Sequence, residues 1–155
     1  MIRIPIFYVD RPGFRSNLLS EKSPVINVTI GHVDETKHRL RNLRALIDTG
    51  ADDIFVDEAL LIDCGCPILP TSSAVRTTHA TKMHPMYRAT MLFPDHDLLQ
   101  QVDVISNDYP RGTRAYEAIF GTRFLELGTL VLNPQGESHF TFHEHSIGGG
   151  PKESD

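Results

Sequence analysis

Nearly all the apolar residues of this 155-residue chain fall in short runs rich in β-branched and aromatic side chains, and turn-forming residues separate them. The segments 2–9 (IRIPIFYV), 25–31 (VINVTIG), 43–47 (LRALI), 53–56 (DIFV), 74–80 (AVRTTHA), 86–93 (MYRATMLF), 101–106 (QVDVIS), 129–133 (TLVLN) and 139–143 (HFTFH) read as strands. Alternation is clear where Ile26, Val28 and Ile30 interleave with Asn27 and Thr29, and where Phe140 and Phe142 interleave with His139, Thr141 and His143. Pro12-Gly13, Gly31, Pro94-Asp95, Pro110-Arg111-Gly112 and 133–136 (NPQG) supply turn signals. Only 57–62 (DEALLI) and 122–128 (TRFLELG, with Gly128 as C-cap) read as helices. Such a chain is expected to be all-β, a barrel or a sandwich of one domain, with one or two short helices. The charged stretch 31–42 is expected to be an extended, solvent-exposed turn, residues 10–22 a loop, and residues 146–155 a flexible tail.

Composition narrows the function classes. The net charge is −5 with no basic block, which argues against a nucleic-acid partner. No run of apolar residues is long enough for a transmembrane helix, and no signal peptide is read at the start, so the expectation is a cytoplasmic chain with no membrane partner. Cys64 and Cys66 are too few for a disulfide framework or structural zinc and read as reduced thiols. His139, His143 and His145 share a strand face, which is better explained as a solvated polar face than as a metal site; no metal or cofactor is expected.

The chemistry-bearing stretch is 44–61, RALIDTGADDIFVDEALL. An apolar strand ends on Asp48, passes through Thr49, Gly50, Ala51, Asp52 and Asp53, and resumes as strand at Ile54. A carboxylate beside a core strand is costly unless it is paired or used. The tripeptide Asp-Thr-Gly alone is weak, and its plain alternative is a capped strand-ending turn. Its specificity comes from the flanking strands and from a second element, 118–128 (AIFGTRFLELG), in which apolar residues run into Gly121 and a helical turn.

With those elements in that order, the chain resembles the retropepsin family, single-domain aspartic proteases that work as homodimers. The stretch from Val25 through Leu61 resembles the first hairpin and catalytic loop; Tyr116 to Leu125 resembles the apolar-apolar-Gly element beneath it; Thr129 to Phe142 resembles the closing hairpin of cellular and bacterial members. The resemblance implies a closed, barrel-like fold over residues 23–145, preceded by an N-terminal extension (1–22) that is a candidate dimer-interface strand. It implies an aspartic endopeptidase acting on peptide or protein substrates, with Asp48, Thr49 and Gly50 catalytic. Two aspartates sharing one proton, the arrangement known from aspartic proteases, can act as base and acid toward water and the amide. Because the chain has one Asp-Thr-Gly, the pair must come from two chains. Thr49 would hydrogen-bond across the dimer, and Ala51, Asp52 and Asp53 would line the cleft. Since Ala51 brings no hydroxyl to an ionised Asp48, weakly acid working pH is expected.

The resemblance also assigns a flap to 74–93, with its tip around Ala80 to Pro85 and with Ala80, Thr81, Lys82 and Met83 against substrate. There is no glycine between Gly65 and Gly112, and Lys82, Met83, His84 and Pro85 are bulky or stiff. Viral members carry arginine directly after the glycine equivalent to Gly121; here Thr122 intervenes. A partner for Asp52 is therefore expected from Arg123, Arg111 or Arg114. The terminal segments 2–9 and 139–145 are candidates for the sheet of interleaved termini that holds viral dimers. The alternative reading is a catalytically silent dimerisation or peptide-binding domain of the same fold.

Overall fold

The computed structural model describes residues 2–11, 17–18, 21–34, 38–76, 78–93, 96, 98–108, 115–133 and 135–143. Among them the chain is mostly β, with two short helices. In order these are β1 (Arg3–Asp10), β2 (Lys22–Val33), β3 (His38–Ile47), β4 (Ile54–Asp57), α1 (Glu58–Asp63), β5 (Ile68–Arg76), β6 (Thr81–Phe93), β7 (Leu98–Asn107), β8 (Ala118–Phe120), α2 (Thr122–Leu125), β9 (Gly128–Val131) and β10 (Ser138–Phe142). No helix among the described residues is long and apolar enough to cross a membrane.

The alternation seen in the sequence is realised in the core. Ile26, Val28 and Ile30 of β2 are buried and face Leu43, Ala45 and Ile47 from β3 in the same cluster, while Asn27 is exposed. The stretch 31–42 is not an extended turn. β2 and β3 stay paired from Val25–Leu46 out to Val33–His38, so most of the stretch is strand. Arg39, Arg41 and Asn42 are charged or polar because they lie on a strand near solvent; charge density alone does not separate a loop from an exposed strand face.

The strands follow the order β5-β6-β7-β4-β8-β3-β2-β1-β10-β9, and an additional β2–β6 pairing links the two ends of its middle portion. That link arises because β1 covers β2 only from Lys22 to Val25. Beyond it, Thr29–Gly31 are free to pair with Leu92–Thr90 of β6. The result is a ring of β2, β3, β8, β4, β7 and β6. Two of its contacts are parallel, β3 with β8 and β4 with β7.

β1 changes partner along its length: Arg3–Ile6 pair with Thr141–Ser138 of β10, and Phe7–Asp10 with β2. β10 is therefore held on one edge by β1 and on the other by β9. Within this chain the terminal strands thus pair with each other. Ile4 and Ile6 are buried with Phe140 and Phe142, so this sheet closes one end of the core.

α2 is one turn long and ends before Gly128, which is not a C-cap but the first residue of β9. A side chain there would collide with the Thr141 carbonyl and come within 2.7 Å of the Phe140 ring, so glycine is required by the β9–β10 approach. Phe124 projects from α2 into a group formed with Phe93, Phe120, Phe140 and Phe142, with centroids 4.3–6.1 Å from its own ring. α1 buries Leu61 and is followed by buried Cys64 and Cys66.

Candidate active site

The loop after β3 is shaped by hydrogen bonds that start with Asp48 itself. The Asp48 N–H donates to the Phe120 carbonyl at 3.1 Å, extending the parallel β3–β8 ladder by one residue. The chain then turns: the Gly50 N–H donates to Asp48 Oδ1 at 2.9 Å, and the Ala51 N–H to the Asp48 carbonyl at 3.2 Å. This is the local side-chain-to-backbone bonding by which aspartate favours a turn over a continued strand. It also fixes where the carboxylate points. Asp48 and Ala51 are half-buried; Thr49 and Gly50 are exposed.

A second segment supports the loop from below. The N–H groups of Gly121, Thr122 and Arg123 donate to the carbonyls of Asp53, Ala51 and Asp52 at 2.9, 2.8 and 3.0 Å. The Thr122 hydroxyl adds a bond to the Ala51 carbonyl at 3.0 Å. The first amides of a helix have no partner within it; at α2 they are taken up by this loop. So close an approach excludes a side chain at residue 121. A Cβ there would overlap the Ala51 carbonyl oxygen and sit 2.7 Å from that of Asp53. The apolar-apolar-Gly pattern thus has a physical cause, since Ala118 and Phe120 are buried as the floor and Gly121 lets the loop lie on it.

Arg123 pairs with Asp53, Nη1 to Oδ1 at 3.3 Å, and not with Asp52, which is exposed. Arg111 and Arg114, the other candidates, lie outside the described residues.

β5 and β6 form the hairpin that the resemblance assigns to the flap, and their pairing runs out past residues 81–85. The outermost pair is Arg76–Thr81, so Thr81, Lys82 and Met83 stand on β6 and Pro85 is opposite Ser72. The tip expected around residues 80–85 is therefore displaced toward the N-terminus. Ala80, Thr81, Lys82 and Met83 are all exposed, Met83 at 64%. Three contacts that sequence reading missed hold the base. Tyr87 donates its hydroxyl to Glu58 Oε2 at 3.3 Å, His84 Nδ1 donates to the Ser106 carbonyl at 2.9 Å, and the Ser106 hydroxyl donates to the Pro85 carbonyl at 2.6 Å. No local pattern marks residues separated by 21 to 29 positions. Burial, helped by the Glu58 carboxylate, pushes the Tyr87 hydroxyl pKa up.

The remaining candidates sit apart from the loop. Cys64 and Cys66 are buried free thiols, both raised by desolvation, Cys66 to about 11. His143 shares a hydrogen bond with Thr129 at 3.1 Å, His139 lies on β10 between Pro5 and Val131, and His145 falls outside the described residues.

No family model and no curated protein matches the chain. Among solved structures it is similar to EIAV protease complexed with the inhibitor HBY-793. The identity is 20%, the match covers 77% of this chain and 100% of that one, and the TM-score is 0.53. At that identity the likeness is one of fold, a retropepsin-like arrangement of strands.

Proposed function

We propose that this chain is an aspartic endopeptidase of the retropepsin type, working as a homodimer in which residues 23–145 form a closed, barrel-like catalytic domain. The observation that carries the reading is the loop of Asp48: a single carboxylate at the end of a core strand, aimed by the Gly50 amide and held from below by Gly121, Thr122 and Arg123. The fold likeness to EIAV protease supports the same reading.

In this proposal Asp48 of each protomer faces the other across the twofold axis, and isologous contact builds the site from one surface used twice. Like charges at such range cannot both ionise, so the pair holds one proton. The ionised carboxylate takes a proton from water as its oxygen bonds to the scissile carbonyl carbon. The protonated partner supports the oxyanion, and collapse of the tetrahedral intermediate releases the amine with a proton from the pair. The dyad supplies both acid and base, so the chemistry calls for no cofactor. Thr49 and Gly50, exposed in one protomer, are the residues available to the partner. Ala51, Asp52 and Asp53 edge the cleft, and the β5–β6 hairpin, including Ala80, Thr81, Lys82 and Met83, closes over the peptide and excludes water.

The test is cleavage of a diverse peptide library between about pH 4 and pH 7, the interval from the ordinary aspartate pKa to neutrality, by wild type and Asp48→Asn in parallel. Cleavage by wild type that disappears in the variant supports the proposal. A folded, dimeric wild type that cuts nothing would overturn it in favour of a catalytically silent peptide-binding or dimerisation domain.

A further inference from the structure

Among the described residues, four donors reach the backbone of the Asp48 loop from the Gly121–Arg123 segment. Three are main-chain amides, which any residue except proline would supply. The fourth is the Thr122 hydroxyl, which donates to the Ala51 carbonyl at 3.0 Å across 71 positions of sequence. The Thr122 N–H donates to the same oxygen at 2.8 Å. One residue thus supplies both of the donors that a carbonyl oxygen, with its two lone pairs, can take. Arg123 also reaches the loop with its side chain, but through the Asp53 carboxylate and not the backbone.

The direction of the hydroxyl bond separates it from the usual use of threonine at a helix start. A capping hydroxyl accepts an N–H of its own first turn. Here the N-cap is Gly121, no side-chain cap bond forms, and the Thr122 hydroxyl donates away from the helix. Packing does not explain the residue either. Thr122 is exposed, and the burial of α2 is carried by Phe124.

The residue that receives these bonds closes the Asp48 turn. The Ala51 N–H donates to the Asp48 carbonyl at 3.2 Å, within the same turn in which the Gly50 N–H holds Asp48 Oδ1 at 2.9 Å. Ala51 is therefore tied on its amide side to Asp48 and on its carbonyl side to α2, which Phe124 roots in the core. A carbonyl held by one donor can swing about that bond. Held by two, it cannot.

We propose that Thr122 is a positioning residue: its hydroxyl fixes the Ala51 carbonyl and, through the turn, the aim of the Asp48 carboxylate. The inference rests on the reading of Asp48 as catalytic. Small displacements of a reacting group are costly to turnover, whereas water replaces an exposed hydrogen bond at little cost to folding. Loss of the hydroxyl should therefore lower kcat by about two- to tenfold, the range of a single net hydrogen bond, with KM and stability unchanged.

The experiment compares wild type with Thr122→Val, which keeps the β-branched shape without the donor, and Thr122→Ser, which keeps the donor. For each, kcat and KM on a cleaved peptide, the urea midpoint, and amide exchange at Gly50 and Ala51 are measured. The expected result is a lower kcat and faster exchange at both amides in the valine variant, with KM and midpoint unchanged and serine behaving as wild type. Wild-type kcat and exchange in the valine variant would overturn the positioning role and leave the endopeptidase standing. A loss shared equally by valine and serine, or a rise in KM at constant kcat, would overturn it as well. If wild type cleaves nothing, the endopeptidase reading falls and exchange alone decides this inference. Faster exchange at Gly50 and Ala51 with valine but not serine would sustain the hold on the Asp48 turn; equal rates in all three chains would reject it.

Discussion

At the scale of single residues, Gly121 is the position that tolerates least. Alanine there must push apart two backbone segments, not a flexible side chain. Gly121→Ala is expected to cost about 2–3 kcal/mol, in the range of overpacked sites, as a drop in the urea midpoint with an unchanged slope. Arg123→Ala should cost far less in stability, under about 1 kcal/mol for a pair this exposed, while reducing cleavage if Asp53 must be held at the cleft. Cys66 gives a pH-dependent expectation. Burial raises its folded pKa from the ordinary value near 9 to about 11, so the neutral thiol is the form that folding favours. Its contribution is complete below about pH 9 and is lost as pH rises toward 11. Denaturant midpoints for wild type between about pH 8.5 and pH 11 should fall more steeply than those for Cys66→Ala, and a flat difference between them would refute this assignment.

Elements raise a different question, since the shortest of them does much of the packing. α2 is a single turn, too short to persist by itself. It exists because Phe124 fills the aromatic cluster and because its leading amides bond to the Ala51–Asp53 carbonyls. Phe124→Ala should cost about 3–5 kcal/mol, as for other fully buried aromatics, and should loosen the Asp48 loop with it; hydrogen exchange at the Thr122 and Arg123 amides would record both effects. β1 offers the second element-scale expectation. Its residues Ile4 and Ile6 are core residues, and Arg3–Ile6 supply one of the two edges that hold β10. Deleting residues 1–6 should therefore lower the thermal midpoint of the chain itself, at any protein concentration. A deletion that changed only dimer affinity would contradict the internal pairing of β1 with β10.

For the molecule as a whole, the proposal makes catalysis depend on two copies. If the site needs Asp48 from each, then mixing wild type with excess Asp48→Asn under exchanging conditions should reduce activity as the square of the wild-type fraction. Activity that falls only in proportion to that fraction would mean that one chain suffices. Unpairing β1 from β10 without a replacement strand would expose Ile4, Ile6 and Phe140.

Much of this molecule is legible in its sequence. Strand segments with period-two alternation need only local reading, because a buried face leaves an imprint on every second residue. The Asp48 turn and the Gly121 element are visible because each is encoded by adjacent residues. Other features depend on contacts between residues far apart in sequence, which leave no periodic trace. The partner of Arg123 follows from how the Gly121–Arg123 backbone lies across the loop. The length of the β2–β3 hairpin follows from pairing that polar side chains do not announce. The clamp of Tyr87, His84 and Ser106, the closure of the ring through β2 and β6, and the capture of β10 by β1 are likewise properties of the assembled sheet. Sequence by itself determined which segments could be strands and where a carboxylate would be held at a turn, since those are local choices of side chain. Only the tertiary structure decided which strands would meet, because pairing is settled by whichever edges remain open once the core has closed.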